Sequence, residues 1–379
     1  MRVYLDHNAT APVRPEAANA VADALRAGGN PSSVHAAGRA ARASVERARA
    51  AIARHVCARA EDLIFTSGGS EANTLALHAA RQLGADRIII SAIEHDAVRA
   101  AAAASGLPVD IWPVDTEGRA DLSWLKTRLS SSDNEVLFFA LMAANNETGV
   151  IQPYAEAGRL IREAGHWFHI DAVQMTGKAD FDFAESLAHF AALSAHKAGG
   201  PQGVGALIAA CDAEVAPLIH GGGQEKNRRG GTENVAGICG FAAAVEVAAR
   251  EPGEADRQRA LRDRFEAAIT AEAPEVRIWG ADAPRLPNTS CLSAPGWPSE
   301  IQVIALDLEG FEVSAGSACS SGKVRKSAVL EAMGAGDEHA ASALRVSFGW
   351  TNTEDDADRL ANAWLSAWNR ARPKEAATA

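Results

Sequence analysis

Trp167-Phe168-His169-Ile170-Asp171-Ala172-Val173-Gln174, and after it Phe190-Ala191-Ala192-Leu193-Ser194-Ala195-His196-Lys197, form the stretch that decides the fold. Each half is a short apolar run that ends on polar residues. Such runs suit strands buried on both faces, as in a parallel sheet. Outward from this stretch the same pattern repeats. Residues 64–66, 87–91, 136–140 and 204–209 read as further strands, and 71–83 and 96–104 as helices. Strands alternating with helices imply βαβ units and a mostly parallel sheet. Beyond a long Ala-rich helix expected over 233–250, the breaker Glu251-Pro252-Gly253 marks a change. Helices over 255–271 and 354–370 enclose shorter strands there, an α+β pattern.

The composition limits the partners. A chain of 379 residues exceeds the size at which one hydrophobic core stops growing, so two domains are expected. The expected boundaries are 15–252 for a large domain, and 1–14 with 253–379 for a small one. A net charge of -11 argues against nucleic-acid and anionic-membrane surfaces, which require a basic face. No secretory leader or membrane span is expected from the sequence. The five cysteines are scattered and form no C-x-x-C pair, so neither a disulfide framework nor a metal site is expected. That usage fits a reducing, cytoplasmic setting.

Six segments carry chemistry. Lys197, just past a buried strand, is either a solvated loop lysine or a Schiff-base lysine whose amine needs a partly desolvated, electropositive site. Asp171 ends an apolar strand, where a carboxylate is costly unless paired. It either caps a turn or holds the proton on a ring nitrogen. Asp171 and Lys197, 26 residues apart at neighbouring strand ends, are what a pyridoxal-phosphate site in an α/β sheet requires. Thr66-Ser67-Gly68-Gly69-Ser70 leads from a strand into a helix. Its amides and the Ser70 hydroxyl suit a phosphate, although an ordinary turn with Ser70 as N-cap fits equally. His95 follows a strand and could stack on an aromatic ring and move protons. Cys319 lies among Gly316, Ser317, Ala318, Ser320 and Gly322, with Lys323, Arg325 and Lys326 beyond. This setting suits an exposed thiol of lowered pKa, and the other four cysteines read as filler. Arg345 in an apolar strand wants an anion, either a substrate carboxylate or a structural partner.

In this order the segments resemble the cysteine desulfurases of the NifS/IscS group, class V members of the aminotransferase superfamily. Tyr4-Leu5-Asp6-His7-Asn8-Ala9-Thr10, Asn30-Pro31-Ser32-Ser33-Val34-His35, Asn145-Asn146-Glu147-Thr148-Gly149 and His220-Gly221-Gly222-Gly223-Gln224-Glu225 extend the likeness along nearly the whole chain. The resemblance implies an α/β fold, the pyridoxal-phosphate transferase fold type I, with a small α+β C-terminal domain. It implies Lys197 as the cofactor-bearing lysine, Asp171 at the ring nitrogen, Gln174 at the ring hydroxyl side and His95 over the ring. It places Gly69, Ser70, Ser194 and His196 at the phosphate, joined by Thr232 from the neighbouring subunit of a homodimer. Asn146 and Arg345 then take the carboxylate of L-cysteine, and Cys319 takes its sulfur for a protein acceptor such as an iron–sulfur scaffold. The related alternatives are selenocysteine lyase and a class V aminotransferase. Ala11, Ala198-Gly199, Gly231 and Trp350 depart from the usual pattern without removing a catalytic group.

Overall fold

The computed structural model describes residues 2–132, 134–316 and 326–372. A seven-stranded sheet forms its centre, in the spatial order Leu63–Thr66, Gly205–Ala209, Phe190–Ser194, Trp167–Asp171, Leu137–Met142, Arg87–Ser91 and Val109–Trp112. Only Gly205–Ala209 runs against its neighbours. The reason these residues form strands is visible in their burial. Leu137–Met142 is buried at all six positions. Phe138 and Ala140 face one apolar cluster, Phe139 and Leu141 the opposite one, as the two-residue period of a strand requires. Helices cover both faces, so the sheet needs no polar side.

The strand at 87–91 and the helix at 96–104 match the sequence reading, and the other expected elements of the sheet shift by a residue or two, while Pro15–Ala27, Ala36–His55 and Val109–Trp112 were not expected. The first helix after the sheet begins at Gly69, two residues before its expected start, with Gly68 as the capping residue. Ser70 is therefore inside the helix and not its N-cap. A Cβ on Gly69 would come within 2.7 Å of Val173, so glycine lets the helix start descend onto the segment after Asp171.

A second sheet of four antiparallel strands follows in the order Ser314–Ala315, Ala343–Ser347, Thr289–Ser293 and Arg277–Ile278. It packs on the helices Glu254–Glu272 and Glu354–Ala371 around its own apolar cluster, which includes Val3 and Leu5 from the chain start. Val3–Tyr4 pairs in parallel with Phe311–Glu312. The N-terminal segment is thus stitched to the C-terminal part, then crosses toward the central sheet. Among the described residues no helix is long and apolar enough to cross a membrane.

Trp297, Trp364 and Trp368 form the aromatic heart of this second cluster, with ring centroids 5.4–5.8 Å apart. Trp364 is fully buried and donates its indole N–H to Gln302 Oε1 at 3.1 Å. Trp364→Ala is expected to cost about 3–5 kcal/mol, read as a lower urea midpoint for loss of the native signal.

Candidate functional site

The parallel strands share one edge at their carboxyl ends, and the site residues lie just beyond it. Gly69 and Ser70 follow Thr66, His95 follows Ser91, Asn146 follows Met142, Asp171 ends its own strand, and Lys197 follows Ser194. Ligands in open α/β sheets sit at such an edge. A cavity of about 210 Å³ opens there, lined by Gly69, Ser70, His95, Asn146, Asp171, Gln174, Ser194, His196, Lys197 and Arg345, with Asn8 and Asn73. Ten residues singled out from the sequence therefore meet at one place.

Each is held by identifiable partners. Lys197 Nζ donates to the backbone oxygens of Asn8 (2.6 Å) and Ala9 (2.7 Å). Asp171 Oδ2 accepts from Asn73 Nδ2 at 2.7 Å, and its Oδ1 accepts from Val173 N at 3.0 Å. Asn73 Oδ1 is in turn 2.7 Å from His169 Nε2, so a buried polar chain aims the carboxylate. Burial pushes the His169 ring down to about 3, which keeps it neutral in that chain. His95 Nδ1 accepts from Ala97 N at the start of the helix Asp96–Ala104, which leaves its Nε2 to carry the ring proton. Burial, then the charges of Lys197 and Lys178, push His196 down to about 4.

Arg345 resolves a question the sequence left open. Its side chain is 2% exposed and its Nη2 pairs with Asp6 Oδ1 at 2.7 Å. Nη1 donates to Asn146 O at 3.1 Å, while Nε has no partner among the described residues. The arginine thus has its structural partner and also lines the cavity. Asp6, 339 residues earlier, had not been singled out; nor had Asn8, Asn73 and Lys178. Lys178 Nζ donates to Gln174 Oε1 at 2.6 Å and Asn8 Oδ1 at 2.9 Å. Gln174 stands four residues before Lys178 in the sequence, and that spacing was the available signal.

Among the described residues, one predicted residue stands apart. Thr232 is exposed and lines a different hollow, with Thr66, Ser67 and Arg229. Arg229 reaches Glu71 there with two bonds, 2.9 and 3.2 Å. Cys319 lies outside the described residues. Of the cysteines expected as filler, Cys291 is buried, but Cys57 and Cys211 are exposed, because both sit in turns beyond the ends of helix or strand. A hydrogen bond with Asp182 pushes the Cys57 thiol up, away from reactivity.

The donor set suits pyridoxal phosphate. A buried-edge lysine amine, a hydrogen-bonded carboxylate, an imidazole and the amide-rich start of a helix line one cavity. No group of acidic, His or Cys side chains that could hold a metal occurs among the described residues.

Residues 3–360 match the model of the aminotransferase class-V family. The chain belongs to that family. It is 40% identical to a protein of Dictyoglomus turgidum named cysteine desulfurase IscS, over 93% of this chain and 91% of that protein. The solved NifS-like protein from Rickettsia africae superposes with a TM-score of 0.90 at 33% identity, covering 97% of this chain and all of that one. A structure titled SspA in complex with cysteine superposes at 0.79 with 28% identity, covering 92% and 99% of the two chains. The expected pyridoxal-phosphate transferase fold is thereby confirmed, and the family is that of the cysteine desulfurases.

Buried carboxyls flank the site of this class-V chain. Glu94 Oε1 accepts from Ser91 Oγ (2.5 Å) and Met142 N (2.7 Å), tying two strand ends together, while Oε2 has no partner among the described residues. Burial pushes Glu94 up to about 7; the Ser91 bond opposes this and the Asp171 charge adds to it. A carboxyl raised this way contributes stability below its unfolded value of 4.5 and loses it as pH rises through about 7. Glu94→Gln is therefore expected to match wild type near pH 5 and to exceed it by about 2–3 kcal/mol at pH 8 in urea unfolding. An equal difference at both values would contradict this.

Proposed function

We propose that this chain is a cysteine desulfurase that converts L-cysteine to L-alanine and passes the sulfur through Cys319 to an acceptor. The observation that carries the reading is the meeting of Lys197, Asp171, His95 and Arg345 on one cavity at the strand ends. The family assignment and the cysteine-desulfurase names of close relatives support it.

In this reading Lys197 holds pyridoxal phosphate covalently, Asp171 keeps the ring nitrogen protonated, and Gln174 and His95 flank the ring. Gly69, Ser70, Ser194 and His196 seat the phosphate, using the unpaired amides of the helix start. When bound, the cofactor supplies an electron sink for charge developing at the substrate Cα. Arg345 and Asn146 orient the substrate carboxylate. Two of its five N–H groups go to Asp6 and Asn146, which leaves donors for the carboxylate and fixes the guanidinium before substrate arrives. Lys197 Nζ would take the Cα proton, and the carbonyls of Asn8 and Ala9 are placed to hold its amine when it is free. His95 shuttles a proton near the substrate sulfur, its Nδ1 held by Ala97 N. Cys319 attacks as thiolate: its Sγ bonds to the substrate Sγ, the substrate Cβ–Sγ bond breaks, and that electron pair stays on carbon. Protonation of the carbon fragment then gives alanine, and Cys319 keeps a persulfide.

The remaining parts of the reading follow from it. Thr232, exposed and away from its own chain's cavity, serves a partner subunit in a homodimer, and the acceptor is a sulfur-carrier or iron–sulfur scaffold protein. The cytoplasm is the setting, because reducing surroundings keep the Cys319 thiol from being captured in a disulfide. Sedimentation is expected to give twice 39.6 kDa.

The test incubates the pyridoxal-phosphate-loaded protein with L-cysteine and a thiol reductant and measures alanine and sulfide. Equal amounts of both are expected from wild type. Lys197→Ala and Cys319→Ala are each expected to lose at least about a hundredfold, with Cys319→Ala keeping the bound-cofactor absorbance. Undiminished sulfide from Cys319→Ala would instead favour a lyase that needs no acceptor thiol.

A further inference from the structure

Lys178 is the cation of this region that the proposed chemistry does not use. It lies beside the cavity without lining it, on the turn that follows the strand Trp167–Asp171. Gly177 makes that placement possible. Its φ is +73°, and a Cβ there would approach Ala198 Cβ to 2.8 Å. The glycine thus lets the turn close onto the residue next to Lys197. Two amide oxygens then take the Lys178 donors: Gln174 Oε1 at 2.6 Å and Asn8 Oδ1 at 2.9 Å.

As an ammonium Lys178 has donors and no acceptor, so each amide turns its oxygen toward it, and the two N–H groups of the neutral amine are served by the same two oxygens. The nitrogen ends are fixed as a consequence. Gln174 Nε2 donates one hydrogen to Asn8 O at 3.0 Å and has a second one left. Asn8 Nδ2 donates to Asn146 O at 3.2 Å and Thr289 Oγ1 at 2.9 Å. Without Lys178 the Gln174 amide could invert and offer its oxygen to the cavity, where an acceptor of the ligand would be repelled. Retaining such a side chain in an enclosed place is costly. Burial, then the charges of Lys197 and Arg345, push the Lys178 amine well down from its ordinary value.

We propose that Lys178 is a positioning residue: it locks the Gln174 amide so that an N–H faces the ring oxygen of bound pyridoxal phosphate, and it holds Asn8 so that the Asn146 peptide stays in place. This rests on the cofactor reading above. An N–H donor favours the ionised oxygen, so its loss moves the proton equilibrium of the bound cofactor upward.

The experiment measures two quantities in the dimeric protein as purified: the pH midpoint of the bound-cofactor absorbance band, and the Kd for pyridoxal phosphate by titration of the stripped protein. Lys178→Met and Gln174→Ala are each expected to raise the midpoint by about one pH unit and to weaken binding about tenfold. The double variant is expected to go no further than Gln174→Ala alone, and Lys178→Arg to return toward wild type. If Lys178→Met does not fold, Lys178→Gln reads the same midpoint. A wild-type midpoint in the Lys178 variants beside a lowered Tm would make the role merely structural and overturn the proposal. Additive shifts in the double variant would overturn it too. Wild type that binds no pyridoxal phosphate would remove the functional reading along with this one, whereas tight wild-type binding with unmoved variants removes this one alone.

Discussion

The backbone oxygen of Asn8 is the point on which the site hangs. It accepts from Lys197 Nζ and from Gln174 Nε2, while the Asn8 side chain ties to Lys178, Asn288, Thr289 and Asn146. Those residues come from the four-stranded sheet and from segments beyond the ends of the central strands, up to 281 positions away. Asn8 can stand there only because the chain start is fixed behind it. Val3–Tyr4 pairs with Phe311–Glu312, Asp6 pairs with Arg345, and Asn8 N donates to Ser347 Oγ at 3.0 Å. The N-terminal segment is therefore a strap from the small sheet to Lys197.

Electrostatics explain why so many neutral amides are needed. Lys178, Lys197 and Arg345 crowd one region, and Asp6 is committed to Arg345. Uncompensated charge in an enclosed place is expensive, and hydrogen bonds from carbonyls and amides spread that cost. The imidazoles nearby, His7 and His169, are pushed down to about 3 by burial, so they add no further cations at neutral pH. Two of the buried carboxyls, Glu94 and Glu147, are pushed up to about 7 for the same reason. These groups act on stability in opposite directions. The histidines lose their contribution as pH falls below their unfolded value of 6.5, and the carboxyls lose theirs as pH rises from 4.5 through about 7.

Six of the seven central strands were legible because burial on both faces writes a continuous apolar run. The runs at 64–66, 87–91, 136–140, 167–170 and 190–193 are each followed by polar residues that line the cavity. Val109–Trp112, at the sheet edge with Ile111 exposed, was not legible. Asp171 and Lys197 could be paired from sequence because adjacent parallel strands place their carboxyl ends together. The reversed direction of Gly205–Ala209 was not legible, since its residues are apolar in either direction and only pairing sets its sense. The strap was beyond reach of local pattern: Val3–Tyr4 is two residues long, and its partner lies more than three hundred residues on. Asn8, Asn73 and Lys178 were missed for a related reason. Each is a single polar residue whose meaning comes from folding, not from its neighbours. Arg345 was read with two possible partners, and the fold supplies one of them in Asp6 without taking the side chain out of the cavity.

The central claim is that, of the two lysines held around Asn8, Lys197 carries the cofactor and Lys178 supports it. Reduction of the pyridoxal-phosphate-loaded protein with borohydride, followed by peptide mapping, tests this directly. The account predicts the pyridoxyl group on the peptide containing Lys197 and on no other lysine. Label on Lys178, or no labelled lysine in protein that retains its absorbance before reduction, would contradict it.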